Sequence, residues 1–270
     1  MKGIIGAIAG DVIGSAYEFN PMRDYDFELF TPESTFTDDT VLTMANALWL
    51  LEDVTHSPER LTEIMLDMCR KYPGRGYGGR FARWIVDANP QPYNSFGNGS
   101  AMRVSPVGFY ATTLEEALVL AQVSAEVTHN HPEGIKGAQA TAAAIFLARQ
   151  GRGKQEIRDY VVKTFGYDLS RTLAEIRPTF TFDETCQRTV PEAITCFLEG
   201  KDFEDTVRLA VSLAGDADTL AAIAGPIASA TQDVPNDITQ QVVTRLTEEF
   251  CTLLLRFNEV AAKREKEASL

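Results

Sequence analysis

Two short acidic clusters, separated by most of the chain, carry residues suited to metal chemistry: Phe36-Thr37-Asp38-Asp39-Thr40 and Gly215-Asp216-Ala217-Asp218-Thr219. Each stands before an apolar helical pattern, the first opening at Val41 and the second at Leu220. N-capping accounts for one Thr or Asp at each place, because these side chains accept hydrogen bonds from the first helical N–H groups and suit the helix dipole. It does not account for two aspartates at each, set against apolar helices where their repulsion is unrelieved. Divalent cations relieve it. Four carboxylates with the hydroxyls of Thr37 and Thr219 form a hard oxygen set, suited to Mg²⁺, Mn²⁺ or Ca²⁺ rather than zinc. An EF-hand is excluded, since Leu220 and Ala222 stand where further oxygen ligands belong. The pattern fits two ions bridged across a cleft.

The opening segment adds a second signal. Gly6, Gly10 and Gly14 recur every four residues and so share one helix stripe. Each costs ~1 kcal/mol relative to alanine in a helix, which makes sense where another backbone must approach closely. Asp11 interrupts this apolar run, and a buried carboxylate needs partners or a cation. Glu18 follows seven residues later, which on a continuing helix puts it on the side of Asp11. Further on, Gly97-Asn98-Gly99-Ser100 can turn backbone N–H groups toward an anion, with a plain turn as the alternative. His129 and His131 have only His56 for company, too few for a zinc or HNH-type site, so capping or core roles are their default.

Helical periodicity dominates the elements that must position these groups. It predicts helices over 41–53, 58–72, 114–127, 134–150, 155–165, 192–199, 203–213 and 217–231, then one long closing helix from Pro235 to about Lys263. Ser57-Pro58, Val190-Pro191 and Val234-Pro235 read as helix starts with proline in the first position. The alternating stretch 179–182 reads equally well as a strand or an extended connector. Residues 72–108 are rich in Gly and Pro and form the longest irregular region, a length that usually serves function. No βαβ alternation, internal repeat or linker divides the chain. The expectation is one all-α domain over 1–270, built of many short helices around a central cleft.

Bulk composition narrows the class. A chain of 270 residues with 44% hydrophobic content can bury a sizeable core. Its formal net charge of −13 argues against stable nucleic-acid binding, which needs clustered Lys and Arg, without excluding phosphate-bearing small ligands. Cys69, Cys186, Cys196 and Cys251 form no C-x-x-C pair and read as buried thiols of a reducing compartment. Nothing resembles a secretory signal or a transmembrane run, so a cytoplasmic protein without membrane contact is expected, with a monomer as the default.

Five runs in order resemble the ADP-ribosylglycohydrolase family: GAIAGDVIGSAYE (6–18), FTDDT (36–40), GNGSAMRVSP (97–106), THNHPEG (128–134) and AGDADTLAAIAG (214–225). That family includes a bacterial enzyme that reactivates dinitrogenase reductase and the animal ADP-ribosylhydrolases. The similarity extends from residue 3 to about residue 230. It implies a compact orthogonal multi-helix bundle around a binuclear metal cleft. It matches Thr37, Asp38, Asp39, Asp216, Asp218 and Thr219 to the ligands of two Mg²⁺ or Mn²⁺ ions. Ala217 departs from the commoner GDTDT pattern at a position that is not a ligand. Glu18 matches the acidic residue beside the metals in the branch related to the animal ADP-ribosylserine hydrolase, and Arg75-Gly76-Tyr77-Gly78 resembles that branch too. The resemblance further implies that Ser95, Gly97, Asn98 and Gly99 hold a diphosphate, that Phe96 stacks on adenine or ribose, and that His129 lies near substrate. The implied reaction cleaves ADP-ribose from a modified target, most simply a protein side chain. Glu18 is the acid or base, Asp38 and Asp216 are indispensable to catalysis, and Asp11 orients a ligand or Glu18 from behind. A non-catalytic ADP-ribose-binding module and a metal-dependent nucleotide phosphoesterase are the rival readings.

Overall fold

The computed structural model describes residues 2–268. The first half runs α1 (Ile5–Gly14), α2 (Asp38–Glu52), α3 (Pro58–Lys71), α4 (Gly79–Val86), α5 (Gly99–Met102), α6 (Ser105–Tyr110) and α7 (Leu114–Glu126). The second runs α8 (Pro132–Arg149), α9 (Lys154–Phe165), α10 (Leu173–Ile176), α11 (Cys186–Glu199), α12 (Phe203–Val211), α13 (Ala217–Thr231), α14 (Asn236–Val243) and α15 (Glu248–Ala268). Among the described residues there is no strand, only an isolated antiparallel bridge between Gly97 and Thr185. The fold is all-α, as the periodicity predicts, and 179–182 is a connector.

The centre of the molecule is the crossing of α1 and α13. Every residue from Ile5 to Gly14 is buried, as is nearly all of α13. The glycine stripe explains why they meet so closely. A Cβ on Gly10 would stand 2.1 Å from Ala221 O, one on Gly14 2.4 Å from Asp218 Cα, and one on Gly6 2.2 Å from Ser229 Oγ. From the other side, a Cβ on Gly225 would come 2.3 Å from Gly6 O. The propensity that α1 gives up in its glycines thus lets two backbones touch. It also sets the N-terminus of α13, with Asp216 and Asp218, against the last turn of α1. Helices α8, α11 and α12 pack round α13, while α15 covers α2. The main hydrophobic cluster draws on side chains from Ile4 to Ala261.

Several boundaries differ from the sequence reading, each for a local reason. The opening helix stops at Gly14: Ser15 Oγ donates to Val12 O and accepts from Thr35 N, and Tyr17 packs edge-on against Phe27 at 4.9 Å. Glu18 therefore sits in the turn after α1, not on its continuation. Helix α2 begins earlier than expected and α13 starts at the predicted Ala217, so Asp38, Asp39, Asp218 and Thr219 lie in first helical turns. Pro191 is inside α11 rather than at its start, because Cys186 N donates to Phe96 O and so gives the preceding turn a partner. The closing helix is two: Thr247 Oγ1 accepts from Phe250 N at 3.2 Å and restarts the chain as α15. The stretch 72–108 is less irregular than its glycines and prolines suggest, since it contains α4, α5 and most of α6. Cys69, Cys186 and Cys196 are buried free thiols, but Cys251 is only half-buried. Among the described residues no helix is long and apolar enough to cross a membrane.

The crossing makes Gly10→Ala a sharp test of the packing. The added methyl must displace backbone, which predicts a loss of about 1–3 kcal/mol or more, read as a lower urea midpoint at unchanged m-value. An unchanged midpoint would mean that the two helices are not held at this distance.

Candidate active site

Thr37 caps α2 by accepting from Asp39 N at 3.2 Å, and Asp11 secures the same turn from below. Asp11 accepts from Thr37 N at 2.9 Å, Thr37 Oγ1 at 2.7 Å, Thr40 N at 3.1 Å and the Thr40 hydroxyl. Four donors explain how a fully buried carboxylate survives in an apolar helix. The same bonds assign its work: Asp11 positions the first acidic cluster through Thr37, and it makes no hydrogen bond to Glu18. The backbone N–H of Asp38 is held by Arg75 O at 2.7 Å, which links the 75–78 turn to the cluster.

The second cluster arrives on the N-terminus of α13. Asp216 Oδ2 accepts from Asn98 Nδ2 at 2.7 Å, and Asp218 Oδ1 accepts from Thr219 N at 2.9 Å. The two clusters meet: Thr219 Oγ1 approaches Asp39 Oδ2 at 3.4 Å across 180 positions of sequence. Carboxylate oxygens of Glu18, Asp216 and Asp218 lie within 4.8 Å of one another, close enough to share one metal ion. A cleft of about 330 Å³ opens here, lined by Glu18, Asp38, Asp39, Asp216, Asp218 and Thr219 at one end and by Ser95, Phe96, Gly97, Asn98, Gly99 and His129 at the other. Thr37 lies beneath this lining, its hydroxyl proton given to Asp11 and its oxygen still offering a lone pair.

Six carboxylates thus crowd one interior: Asp11, Glu18, Asp38, Asp39, Asp216 and Asp218. Among the described residues none of them forms an ion pair with Lys, Arg or His. Burial lifts all six above the ordinary carboxylate range, with mutual repulsion added at Asp38, Asp39 and Asp218. Glu18 is pushed up to about 7, first by burial and then by Asp216 and Asp11. Asp39 Oδ1 is buried and no protein donor reaches it. An oxygen so placed needs a cation or a proton. The donor set, carboxylates plus threonine hydroxyls, fits hard divalent ions.

The glycine-rich loop differs from a cradle of free N–H groups. Gly97 N donates to Ser95 Oγ and Asn98 N to Glu184 O, while the Asn98 side chain spans Thr189 and Asp216. Asn98 is thereby a bracket between the loop, α11 and the acidic cluster. Phe96 is the exposed member, 43% accessible and edge-on to His131 at 5.3 Å. His131 caps α8 by accepting from Glu133 N, the default role. His129 is buried beneath the loop, with Nδ1 2.7 Å from Thr128 Oγ1. Burial, then Arg103 and Arg80, holds its pKa well below the usual value, so the ring is neutral near pH 7. Arg80, Tyr93, Arg103 and Glu184 also line the cleft and were not singled out by sequence reading. Only the fold gathers them; no spacing signal marks them.

The profile of the ADP-ribosylglycohydrolase family matches residues 1–267. The chain is similar to ADP-ribosylhydrolase ARH3 of Homo sapiens, 26% identical over an alignment covering 84% of this chain and 83% of that protein. It is 25% identical to the Bos taurus counterpart at the same coverage. An ADP-ribosylarginine hydrolase of Pseudomonas putida is 26% identical, across 84% of this chain and 68% of that one. A solved structure described as an ADP-ribosylglycohydrolase-related protein complex superposes with a TM-score of 0.69 at 25% identity, covering 96% of each chain.

The crowding has a measurable sign. Carboxyls whose folded pKa is raised stabilise the fold below the unfolded value near 4, and lose that contribution as pH rises through the folded value. Stability in chelator should therefore fall between about pH 4 and pH 7, the latter set by Glu18. Saturating Mg²⁺ or Mn²⁺ should raise the melting temperature at pH 7.5 by about 5–10 °C, and by much less at pH 5. An equal shift at both values, or none at either, would contradict ion binding at these groups.

Proposed function

Because the chain belongs to the ADP-ribosylglycohydrolase family, we propose that it is a metal-dependent hydrolase that releases ADP-ribose from a modified target, most simply a protein side chain. The observation carrying the proposal is the union of two acidic clusters in one cleft, with a buried Asp39 oxygen that no protein group satisfies. Thr37, Asp38, Asp39, Asp216, Asp218 and Thr219 would hold two Mg²⁺ or Mn²⁺ ions. When bound, such ions supply charge compensation and Lewis acidity toward substrate oxygens.

The chain's own groups divide the remaining work. Cleaving the bond between the anomeric carbon and the target builds oxocarbenium-like charge on the ribose and calls for a proton transfer at the leaving atom or the attacking water. Glu18 suits that transfer, being half-buried with a pKa near neutrality, where an acid can both give and take a proton. Asp11 keeps Thr37 in register, and Asn98 keeps Asp216 against the glycine-rich loop. Ser95, Gly97 and Gly99 would meet the diphosphate, Phe96 the adenine or ribose, and neutral His129 supports the loop from beneath. We read the whole chain as one such domain acting in the cytoplasm without a membrane or nucleic-acid partner.

A panel of ADP-ribosylated peptides assayed for free ADP-ribose with Mg²⁺, Mn²⁺ or chelator tests the reading. Turnover should need the ion. Asp38→Asn and Asp216→Asn should each cut kcat/KM by at least about a hundredfold, the scale of losing a preorganised electrostatic contact. Glu18→Gln should cost ~10²–10⁴ in kcat while ADP-ribose still binds. Wild-type turnover by Asp216→Asn in excess metal would contradict the proposal. Binding of ADP-ribose without release from any target would favour a binding module, and phosphate release from simple nucleotides a phosphoesterase.

A further inference from the structure

Arg103 is a wholly buried cation to which the proposed reaction gives no task. Among the described residues it forms no ion pair. Burial lowers its pKa only to about 10, so the guanidinium stays charged at neutral pH. A buried charge without a counter-ion is costly. Its Nη2 donates to Ser124 O at 2.6 Å and to Thr128 Oγ1 at 2.9 Å, while Nε and Nη1 meet no protein acceptor. Thr128 is wholly buried too, and its Oγ1 stands 2.7 Å from His129 Nδ1. The three side chains therefore make one continuous chain, leading from the core to the wall of the cleft.

Proton balance sets the direction of that chain. A guanidinium only donates, so Thr128 Oγ1 is the acceptor of the Arg103 bond. Among the described residues the threonine's own proton then has one acceptor in reach, His129 Nδ1. Were Nδ1 protonated, Thr128 Oγ1 would accept twice and its hydroxyl proton would be stranded in the interior, at the cost of an unmade buried hydrogen bond. Nδ1 is thus an acceptor, and in a neutral ring the hydrogen sits on Nε2. Nε2 has no hydrogen-bond partner among the described residues. A Cβ on Gly99 would stand 3.1 Å from it and one on Gly97 3.5 Å, so these two cleft-lining glycines leave it uncovered. Each bond of the chain polarises the next, so the Arg103 charge makes Nε2–H a stronger donor than an isolated neutral imidazole. A donor is needed at this end of the cleft, because Gly97 N and Asn98 N are already engaged by Ser95 and Glu184.

We propose that Arg103, Thr128 and His129 form a one-way hydrogen-bond relay that fixes the histidine proton on Nε2 and offers it to an oxygen acceptor in the cleft. Arg103 and Thr128 are positioning residues; His129 is the group that meets the ligand. With Nε2 protonated and Nδ1 engaged by Thr128, the ring is a donor and not a base, which leaves proton transfer to Glu18. The fixed tautomer is a property of the chain whatever it acts on. The identity of the acceptor, a diphosphate oxygen of ADP-ribose, rests on the hydrolase reading above.

The test is nitrogen–proton correlation NMR of the imidazole rings in the full chain with Mg²⁺ near neutral pH, the His129 signals being those lost in His129→Gln. The wild type should show an unprotonated Nδ1 and a protonated Nε2, and saturating ADP-ribose should shift the Nε2 signal. Thr128→Val keeps the shape of the side chain but removes the hydroxyl. It should let the two tautomers mix, drawing the two nitrogen shifts toward each other, and should weaken ADP-ribose binding in calorimetry roughly 3- to 10-fold. Thr128→Ser should restore both. Arg103→Met should mix the tautomers as Thr128→Val does. If that variant does not fold, the valine and serine pair still decides, because the Thr128 hydroxyl is the only route from Arg103 to the ring. A protonated Nδ1 in the wild type, or a tautomer unchanged in Thr128→Val, overturns the relay, and an Nε2 signal unmoved by bound ADP-ribose overturns its donor role. If the spectra are as expected but the wild type binds no ADP-ribose, the relay stands and the hydrolase reading falls.

Discussion

Repulsion among buried carboxylates is the constraint around which this protein is arranged. Two like charges about 4 Å apart repel by roughly 4 kcal/mol at an effective dielectric near 20, and three acids here have oxygens within 4.8 Å of one another. Protein donors answer part of that cost, and they do so unevenly. Asp11 receives four hydrogen bonds and is fully accounted for. Asp216 receives the Asn98 amide. Asp39 is left with a bare buried oxygen. That gradient, from the satisfied acid at the back to the unsatisfied one at the cleft, separates the acids that protein donors satisfy from the one that needs a cation or a proton.

The acids could not be brought so close by ordinary helix packing. Interhelical distances of 8–10 Å are usual when side chains intervene, and the glycine stripe of α1 removes them. Its contact with α13 converts a stability deficit in one helix into the placement of Asp216 and Asp218 beside the end of α1 and Glu18. Behind them, Asn98 and Cys186 tie the glycine-rich loop to α11, with Cys186 Sγ donating to Gly97 O at 3.1 Å. The glycine-rich end and the acidic end of the cleft are therefore parts of one bonded frame.

Much of this was legible in the chain itself. The glycine spacing announced a close backbone approach, Asp11 in an apolar run announced a buried charge with partners, and the doubled aspartates announced that capping was not their whole task. All three signals are local, because each depends on a residue type that is costly where it stands. Glu18 was placed on the right side for the wrong reason: a turn stabilised by Ser15 and Tyr17, not two more helical turns, carries it there. The early start of α11 was invisible because a tertiary hydrogen bond, from Cys186 N to Phe96 O, overrides the proline rule, while the break at Thr247 rests on a local cap hidden within a continuing helical period. Arg80, Tyr93 and Glu184 could not be found at all, since nothing about their neighbours marks them until the loops close. The loop N–H groups were overestimated for the same reason: Ser95 and Glu184 satisfy two of them.

Diffraction from crystals grown with Mn²⁺, measured at the manganese absorption edge, bears most directly on the claim that doubly charged ions make this crowding tolerable. The account predicts two anomalous peaks about 3.5–4 Å apart, between Asp38 and Asp39 on one side and Asp216 and Asp218 on the other. No peak at these carboxylates, with the aspartates instead sharing protons or turned away from one another, would contradict it.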